Sequence, residues 1–151
     1  MPHEEVSLKI LSEKVCERLA DAAKLKGVSL EIIGEDGVVN GVRRLLYEVV
    51  YNLCDNAIKY NQPGGRVKVT VAQKSGEVLL SVQDTGIGIS PEHQEKVFER
   101  FYRVDKSHSR QSGGTGLGLS IVKHAVQYHH GRIILESEQN KGTTVSVILS
   151  K

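Results

Sequence analysis

The chain has 151 residues, 39% of them hydrophobic and 25% charged, and its 20 basic against 18 acidic residues leave a net charge of +2. That balance fits a globular domain long enough for one sizeable core, and it disfavours disorder. No apolar run approaches the roughly 20 residues of a membrane-spanning helix, the opening MPHEEVSLK lacks a signal-peptide pattern, and the charge is too even for nucleic acid as the main partner.

Leu8, Leu11, Val15, Leu19, Ala22 and Leu25 recur at steps of three and four, which predicts an amphipathic helix ended by Gly27. Cys16 lies within it. With Cys54 it makes only two cysteines, too few to staple a secreted miniprotein, and both read as reduced core thiols of a cytoplasmic protein. Val28 to Ile33 alternates as a strand does, and residues 34–41 are turn-rich. A second helix is expected from about Val42 to Tyr60, with Leu46, Val49, Leu53 and Ala57 on its apolar face; Asn61-Gln62-Pro63-Gly64-Gly65 stops it.

Arg66 to Gln73 and Glu77 to Gln83, joined at Ser75-Gly76, read as a hairpin. From Thr85 to about Thr115 the chain is rich in glycine, serine and charge, with one short helical pattern from Pro91 to Phe101. A loop that long points to a lid or a binding loop. A third helix is expected from Leu117 to about His130, then strands from Arg132 to Glu138 and Thr143 to Leu149 around the turn 139–142. Three helices and five strands without regular βαβ alternation predict a two-layer α/β (α+β) sandwich. Its mixed five-stranded sheet would carry the helices on one face.

The second helix has a polar side. Glu48, Asn52 and Asn56 stand four residues apart and form one ladder, which Lys59 and Tyr60 extend. Asparagine inside a helix is costly, because its side chain competes for backbone hydrogen bonds. Neutral carboxamide oxygens suit a hard cation that keeps its water and phosphate ligands, as Mg²⁺ does. Asp84-Thr85-Gly86-Ile87-Gly88-Ile89 closes a strand; a carboxylate there can accept from an exocyclic amine such as that of adenine, and would reject the carbonyl of guanine. Glycines beside it permit a tight turn and close approach to a flat ligand. Gly113-Gly114-Thr115-Gly116-Leu117-Gly118-Leu119 opens the third helix, where free amides and the helix dipole favour an anion. The GxxxxGK[ST] pattern is absent, and GxGxG after a polar loop is not the dinucleotide fingerprint. Phe98-Glu99-Arg100-Phe101-Tyr102-Arg103 adds arginines able to neutralise a transferring phosphoryl group.

Four segments in this order resemble the ATP-binding, catalytic domain of sensor histidine kinases, within the superfamily of gyrase, the Hsp90 chaperones and MutL. NLCDNAIKY resembles the N box, DTGIGI and GGTGLGL the two glycine boxes, and FERFYR the F box. The stretch from Phe98 to Val126 is especially similar to the phosphate-regulon sensor kinases, and the likeness runs from about Val6 to the last strand. It implies ATP and Mg²⁺ as ligands, with Asn56 on the metal and Asn52 placing the phosphates. Lys59 would contact phosphate, Tyr60 would pack against adenine, and Asp84 would read its amine. Gly86, Gly88 and Ile89 would shape the pocket. Residues from about 89 to 115 would form a mobile lid, with Gly114, Thr115, Gly116, Leu117 and Gly118 at its hinge and at the phosphate-facing helix start. Arg103, with Arg100 in reserve, would touch the γ-phosphate. Glu48 matches the water-activating glutamate of the ATPase branch.

None of the six histidines, His3, His93, His108, His124, His129 and His130, lies in a motif like HELRTP, and each reads as an ordinary surface or loop histidine. The expected activity is therefore transfer of the γ-phosphoryl to a histidine on a separate helical dimerisation domain, with a response regulator downstream. The whole chain would be one catalytic domain, either the cytoplasmic portion of a membrane-anchored kinase, itself outside the membrane, or a stand-alone relative. A gyrase-like ATPase using Glu48 and a nucleotide-dependent docking module built on Phe98, Phe101 and Tyr102 are the alternatives. A serine/threonine kinase of the same superfamily fits the lid sequence less well.

Overall fold

The computed structural model describes residues 2–100, 102 and 118–151. Strand β1 (Glu4–Ser7) runs directly into helix α1 (Leu8–Lys26). Ser7 makes that junction: its Oγ accepts from the Ile10 amide at 3.1 Å and donates to the Asp36 carboxylate. Capping of this kind satisfies one of the amides that the first helical turn leaves without a partner. Gly27, at φ +77°, ends the helix in the left-handed region that lets its amide reach back to Ala23 and Lys24.

The buried stripe of α1 is Leu8, Leu11, Ser12, Val15, Leu19 and Ala23. Ala22 and Leu25, expected on that stripe, are exposed, and Leu25 is 91% so. Two steps of three from Leu19 each fall about 60° short of a full turn, which carries Leu25 round to solvent. Ala23, four residues on, takes the place in the core.

Strand β2 (Ser29–Gly34) is followed by β3 (Val38–Gly41), in a segment expected to be turns only. β3 pairs antiparallel with β1 in a separate two-stranded sheet, with Val6 opposite Val39 and both buried. Four-residue strands are too short to show alternation, so the pattern gave no sign of them. Helix α2 (Arg43–Lys59) buries Leu46, Val49, Val50, Leu53, Cys54, Ala57 and Ile58, which includes all four residues expected on its apolar face.

The main sheet adds β4 (Arg66–Lys74), β5 (Glu77–Asp84), β6 (Arg132–Glu138) and β7 (Gly142–Ser150) in the order β2-β4-β5-β7-β6. Only β2–β4 is parallel, so the sheet is mixed and five-stranded as expected. Val67, Val69, Val71, Val78, Leu80, Val82, Val145, Val147 and Leu149 alternate onto one buried face. α1, α2 and helix α4 (Gly118–Tyr128) supply the other half of that core. α2 lies in the middle, packed on α1 and on α4, while α1 sits near β2 and α4 near β6.

Helix α3 (Pro91–Gln94) is a single turn, not the longer helix expected up to Phe101. Beyond it the amides of Lys96 and Glu99 bond three residues back, and Val97 alone of 95–100 is buried, so no apolar face supports a longer helix. No described helix is long and apolar enough to cross a membrane.

α4 and α2 are joined through His129. Its Nδ1 donates to the Ala125 carbonyl at 2.7 Å, and its Nε2 accepts from the Val42 amide at 3.0 Å. Val42 is the N-cap of α2 and makes no side-chain cap; the imidazole takes the Val42 amide itself, one of the donors that a helix start leaves without a partner. The reading of His129 as an ordinary surface or loop histidine is thus corrected: it is half-buried, and both nitrogens are engaged within the fold. The phase of α1 has a direct test. Leu11→Ala should lower unfolding free energy by about 2–5 kcal/mol in urea titrations, whereas Leu25→Ala should change it by less than about 0.5 kcal/mol.

Candidate functional site

The polar side of α2 sets the line of the site, and Glu48, Asn52, Asn56, Lys59 and Tyr60 are all half-buried along it. Asn52 donates from Nδ2 to the Glu48 carbonyl at 2.7 Å. That bond satisfies the competing donor which makes mid-helix asparagine costly, and it leaves Oδ1 to face away from the helix backbone. The start of α4 passes over this point. A side chain on Gly118 would begin 3.2 Å from Asn52 Oδ1 and 3.5 and 3.7 Å from Asn56 Nδ2 and Oδ1. Glycine keeps a small space open between two carboxamides and a helix N-terminus. Lys59 is turned along its own helix, with Nζ 2.9 Å from Asp55 Oδ2.

Beyond the C-terminal end of α2, the Tyr60 carbonyl accepts from the Ile87 amide at 3.1 Å. Gly86 is tucked beneath it: a side chain there would begin 2.5 Å from that carbonyl oxygen. Asp84, the last residue of β5, accepts at Oδ1 from the amides of Gly86 (2.8 Å) and Thr143 (3.2 Å). Among the described residues, no donor addresses Oδ2. Burial pushes the Asp84 carboxyl above the usual carboxylate range, and the two amides oppose that without cancelling it. Gly88, at φ +70°, presses on the far side, where a side chain would begin 2.1 Å from the Glu138 carbonyl oxygen. The glycines of this turn are therefore required by the protein's own backbone. Ile89 anchors the next step, its amide donating to Ser137 Oγ at 2.8 Å and its carbonyl accepting from Gln94 Nε2 at 2.8 Å.

At the opposite end of the ladder, Glu48 is paired with Arg44 at 3.3 Å. Glu48 and Arg100 line a cleft of about 490 Å³ with Ser120 and His124 of α4. Arg103, Gly114, Thr115, Gly116 and Leu117 lie outside the described residues, as does most of the expected lid. The structure thus brings together Tyr60, Asp84 and Gly86 at one end and Asn52, Asn56 and Gly118 in the middle, with Glu48 and Arg100 at the other end.

Sequence reasoning missed part of the floor. Asn61, assigned to a helix stop, is buried; its Oδ1 accepts from the Gln62 amide (2.9 Å) and Thr85 Oγ1 (3.4 Å), while Nδ2 donates to the Arg66 carbonyl (3.1 Å). Thr85 Oγ1 accepts from the Arg66 amide at 2.9 Å. Thr85 lay in view inside the Asp-Thr-Gly segment. Asn61 gave no signal because asparagine is ordinary at a helix stop, and Thr143 gave none because its partner is 59 positions away.

No group of three or more His, Cys, Asp or Glu among the described residues could hold a metal ion. A cation here would rest on carboxamide oxygen and on oxygens brought by the ligand, which suits Mg²⁺ bound to phosphates. A carboxylate with one oxygen that no described donor addresses, two carboxamides beside a helix start, and an arginine at the far end suit an extended ligand that donates a hydrogen bond at one end and is anionic at the other.

Residues 41–151 match the family described as histidine kinase-, DNA gyrase B-, and HSP90-like ATPase. The sensor histidine kinase RppB of Synechocystis sp. is 47% identical over 104 residues, covering 69% of this chain and 23% of that protein. The sensor-like histidine kinase SenX3 of Mycolicibacterium smegmatis is 43% identical over 116 residues, covering 77% of this chain and 28% of that protein. The chain therefore spans about a quarter of the length of these curated relatives. Among solved structures, the mycobacterial sensor histidine kinase MprB superposes with a TM-score of 0.86 at 33% identity, covering 98% of this chain and 97% of that one. Full-length ShkA in complex with AMPPNP superposes at 0.85 with 25% identity, covering 97% of this chain and 30% of that one. Fold, motifs and relatives agree: the chain belongs to the histidine kinase-, DNA gyrase B- and HSP90-like ATPase family, as the ATP-binding catalytic domain of a sensor histidine kinase.

Proposed function

We propose that the chain binds ATP with Mg²⁺ and transfers the γ-phosphoryl to a histidine on a separate helical dimerisation domain, which then serves a response regulator. The observation that supports this best is the line along α2, running from Asp84 through the carboxamides facing Gly118 to Arg100. Adenine enters at the Asp84 end, its amine donating to the Asp84 carboxylate while Tyr60 packs against the ring. Gly86, Gly88 and Ile89 bound that end. Lys59 leaves Asp55 to meet phosphate, Asn52 places the phosphates, and Asn56 holds the metal. Gly114, Thr115, Gly116, Leu117 and Gly118 serve as the hinge of the lid and the phosphate-facing start of the helix, and Arg103, seconded by Arg100, meets the γ-phosphate.

Catalysis of this kind is mainly positioning and charge neutralisation. Mg²⁺ supplies charge neutralisation on the phosphate oxygens when bound. The chain's own residues hold the nucleotide still, keep its γ-phosphate directed at the partner and exclude water. The attacking imidazole nitrogen is unprotonated, and any helper base belongs to the partner. The ion pair of Glu48 with Arg44 supports phosphoryl transfer over hydrolysis, because it competes with activation of a water. The 151 residues act as one catalytic domain on the cytoplasmic side of a membrane-anchored kinase.

Calorimetric titration of the purified chain should show ATP binding strengthened by Mg²⁺, and no GTP binding. Asn56→Ala should lose the Mg²⁺-dependent part of the affinity, on the order of 10–100-fold, with an unchanged melting profile. Unaltered Mg²⁺-ATP affinity would remove Asn56 from the metal. Asp84 links binding to pH. Its carboxyl is raised in the folded state, so its contribution to stability is complete below the ordinary carboxylate range and lost as pH rises through the raised value. Asp84→Asn should therefore leave the free chain at least as stable as the parent at neutral pH, while weakening ATP binding by about 10–100-fold. In the parent, ATP affinity should fall as pH drops through the raised value, and this dependence should vanish in the variant.

A further inference from the structure

β6 is an edge strand: it pairs with β7 on one side, and no described strand lies on the other. Ser137 shows which groups face that open side. Gln94 Nε2 donates to the Ser137 carbonyl at 3.1 Å from outside the sheet, so this carbonyl points away from β7. In an antiparallel strand the N–H and C=O of one residue share a direction, and the direction alternates along the chain. Ile133 and Leu135 therefore present N–H and C=O to the open side, while Arg132, Ile134 and Glu136 are engaged with β7. Among the described residues nothing addresses the open groups of Ile133 and Leu135. No proline, lysine or bulge protects this edge from Arg132 to Glu138.

We propose that β6 is a docking edge for β6 of a second copy of this chain, joined antiparallel about a two-fold axis through Ile134. Charge selects both the occupant and the register. The outer face of β6 reads Arg132, Ile134, Glu136, all three exposed, with Ile134 45% so. Reversed, that series complements itself. Arg132 stands opposite Glu136 of the second copy, and Ile134 stands opposite Ile134. A parallel pairing would set like charge against like, which is unfavourable for residues directly opposed. In the antiparallel register Ile133 also faces Leu135, and each such pair exchanges both of its N–H···O bonds. Slipping the pairing by two residues would set Ile134 against a charge in either direction. In one of those directions it would also need the Ser137 carbonyl, which Gln94 already holds.

Arg132 can serve two carboxylates. Its contact with Glu77 at 3.2 Å uses one terminal nitrogen, and the guanidinium has further N–H donors. On the inner face Ile133 and Leu135 are only half-buried, unlike the central valines of the sheet, and the second copy supplies apolar cover for them. Because the axis passes through the sheet, the two sheets become one, with the helices of both copies on the same side. An edge this short buries little surface, so the association is weak and depends on concentration.

Sedimentation equilibrium of the whole chain, without nucleotide, tests the pairing. The average mass should rise from monomer toward dimer with concentration. Ile134→Lys sets two ammonium groups on the axis and should weaken association by about tenfold or more, with an unchanged melting profile because Ile134 is exposed. Arg132→Glu and Glu136→Arg should each weaken it similarly, and the two together should restore it. The exposed ion pair with Glu77 that Arg132→Glu also removes contributes little. Cross-linking locates the axis. Ile134→Cys should form a disulfide-linked dimer on mild oxidation, since opposed residues have Cβ atoms about 4.5–5.5 Å apart, whereas Glu136→Cys should give no more dimer than the parent. A parent that stays monomeric up to its solubility limit would overturn the proposal. So would association indifferent to Ile134→Lys, a double exchange that fails to restore it, or equal cross-linking from position 136. Should Ile134→Lys fail to fold, the charge exchange and the cross-linking decide.

Discussion

One helix has to satisfy two incompatible surroundings, and most of the structure follows from how it does so. α2 presses an apolar stripe from Leu46 to Ile58 onto the sheet while its other side holds carboxamides and a lysine. Seventeen residues give it nearly five turns, enough to carry both faces without the polar ladder turning into the core. The sheet supplies the floor that fixes its rotation, α1 buttresses one flank, and α4 brings its glycine start against the other. Because α2 is rigid over this length, the ends of the site keep their spacing even though they touch different strands and loops.

The chemistry of the side chains is chosen by charge as much as by shape. Two carboxylates at positions 52 and 56 would hold a cation more tightly but would repel an anionic ligand; neutral carboxamides offer acceptor oxygen without that repulsion. Asp84 makes the opposite compromise. Its two oxygens differ, Oδ1 taking both backbone amides and Oδ2 addressed by no donor among the described residues. Holding a carboxylate in so dry a place costs stability, the usual tension between a binding site and the fold that carries it.

The periodic elements were legible in sequence because burial writes itself into spacing. All four apolar residues expected on α2 are core, and the 66–83 hairpin and the closing pair of strands stand where alternation put them. What failed was either short or terminal. Strands β1 and β3 have four residues each, and Ala22 and Leu25 lie past the point where a helical stripe has rotated away. The site was legible where local motifs concentrated polar residues against propensity, as at Asn52, Asn56 and Asp84. It was not legible where the contact is made by backbone from elsewhere. Thr143 addresses Asp84 from 59 positions away, and Asn61, besides its near partners Gln62 and Arg66, meets Thr85 from 24 positions away.

His129 carries a different lesson about reactivity. Its Nδ1 holds the proton because it faces a carbonyl, which leaves the only lone pair in the ring plane on Nε2, and that pair is already given to the Val42 amide. An imidazole in this state has nothing left with which to attack an electrophile unless the first turn of α2 lets go of it. Abundant histidine in this chain therefore does not mean available histidine: at this position the ring is spent as masonry, and a phosphorus atom passing nearby would find no nucleophile in it.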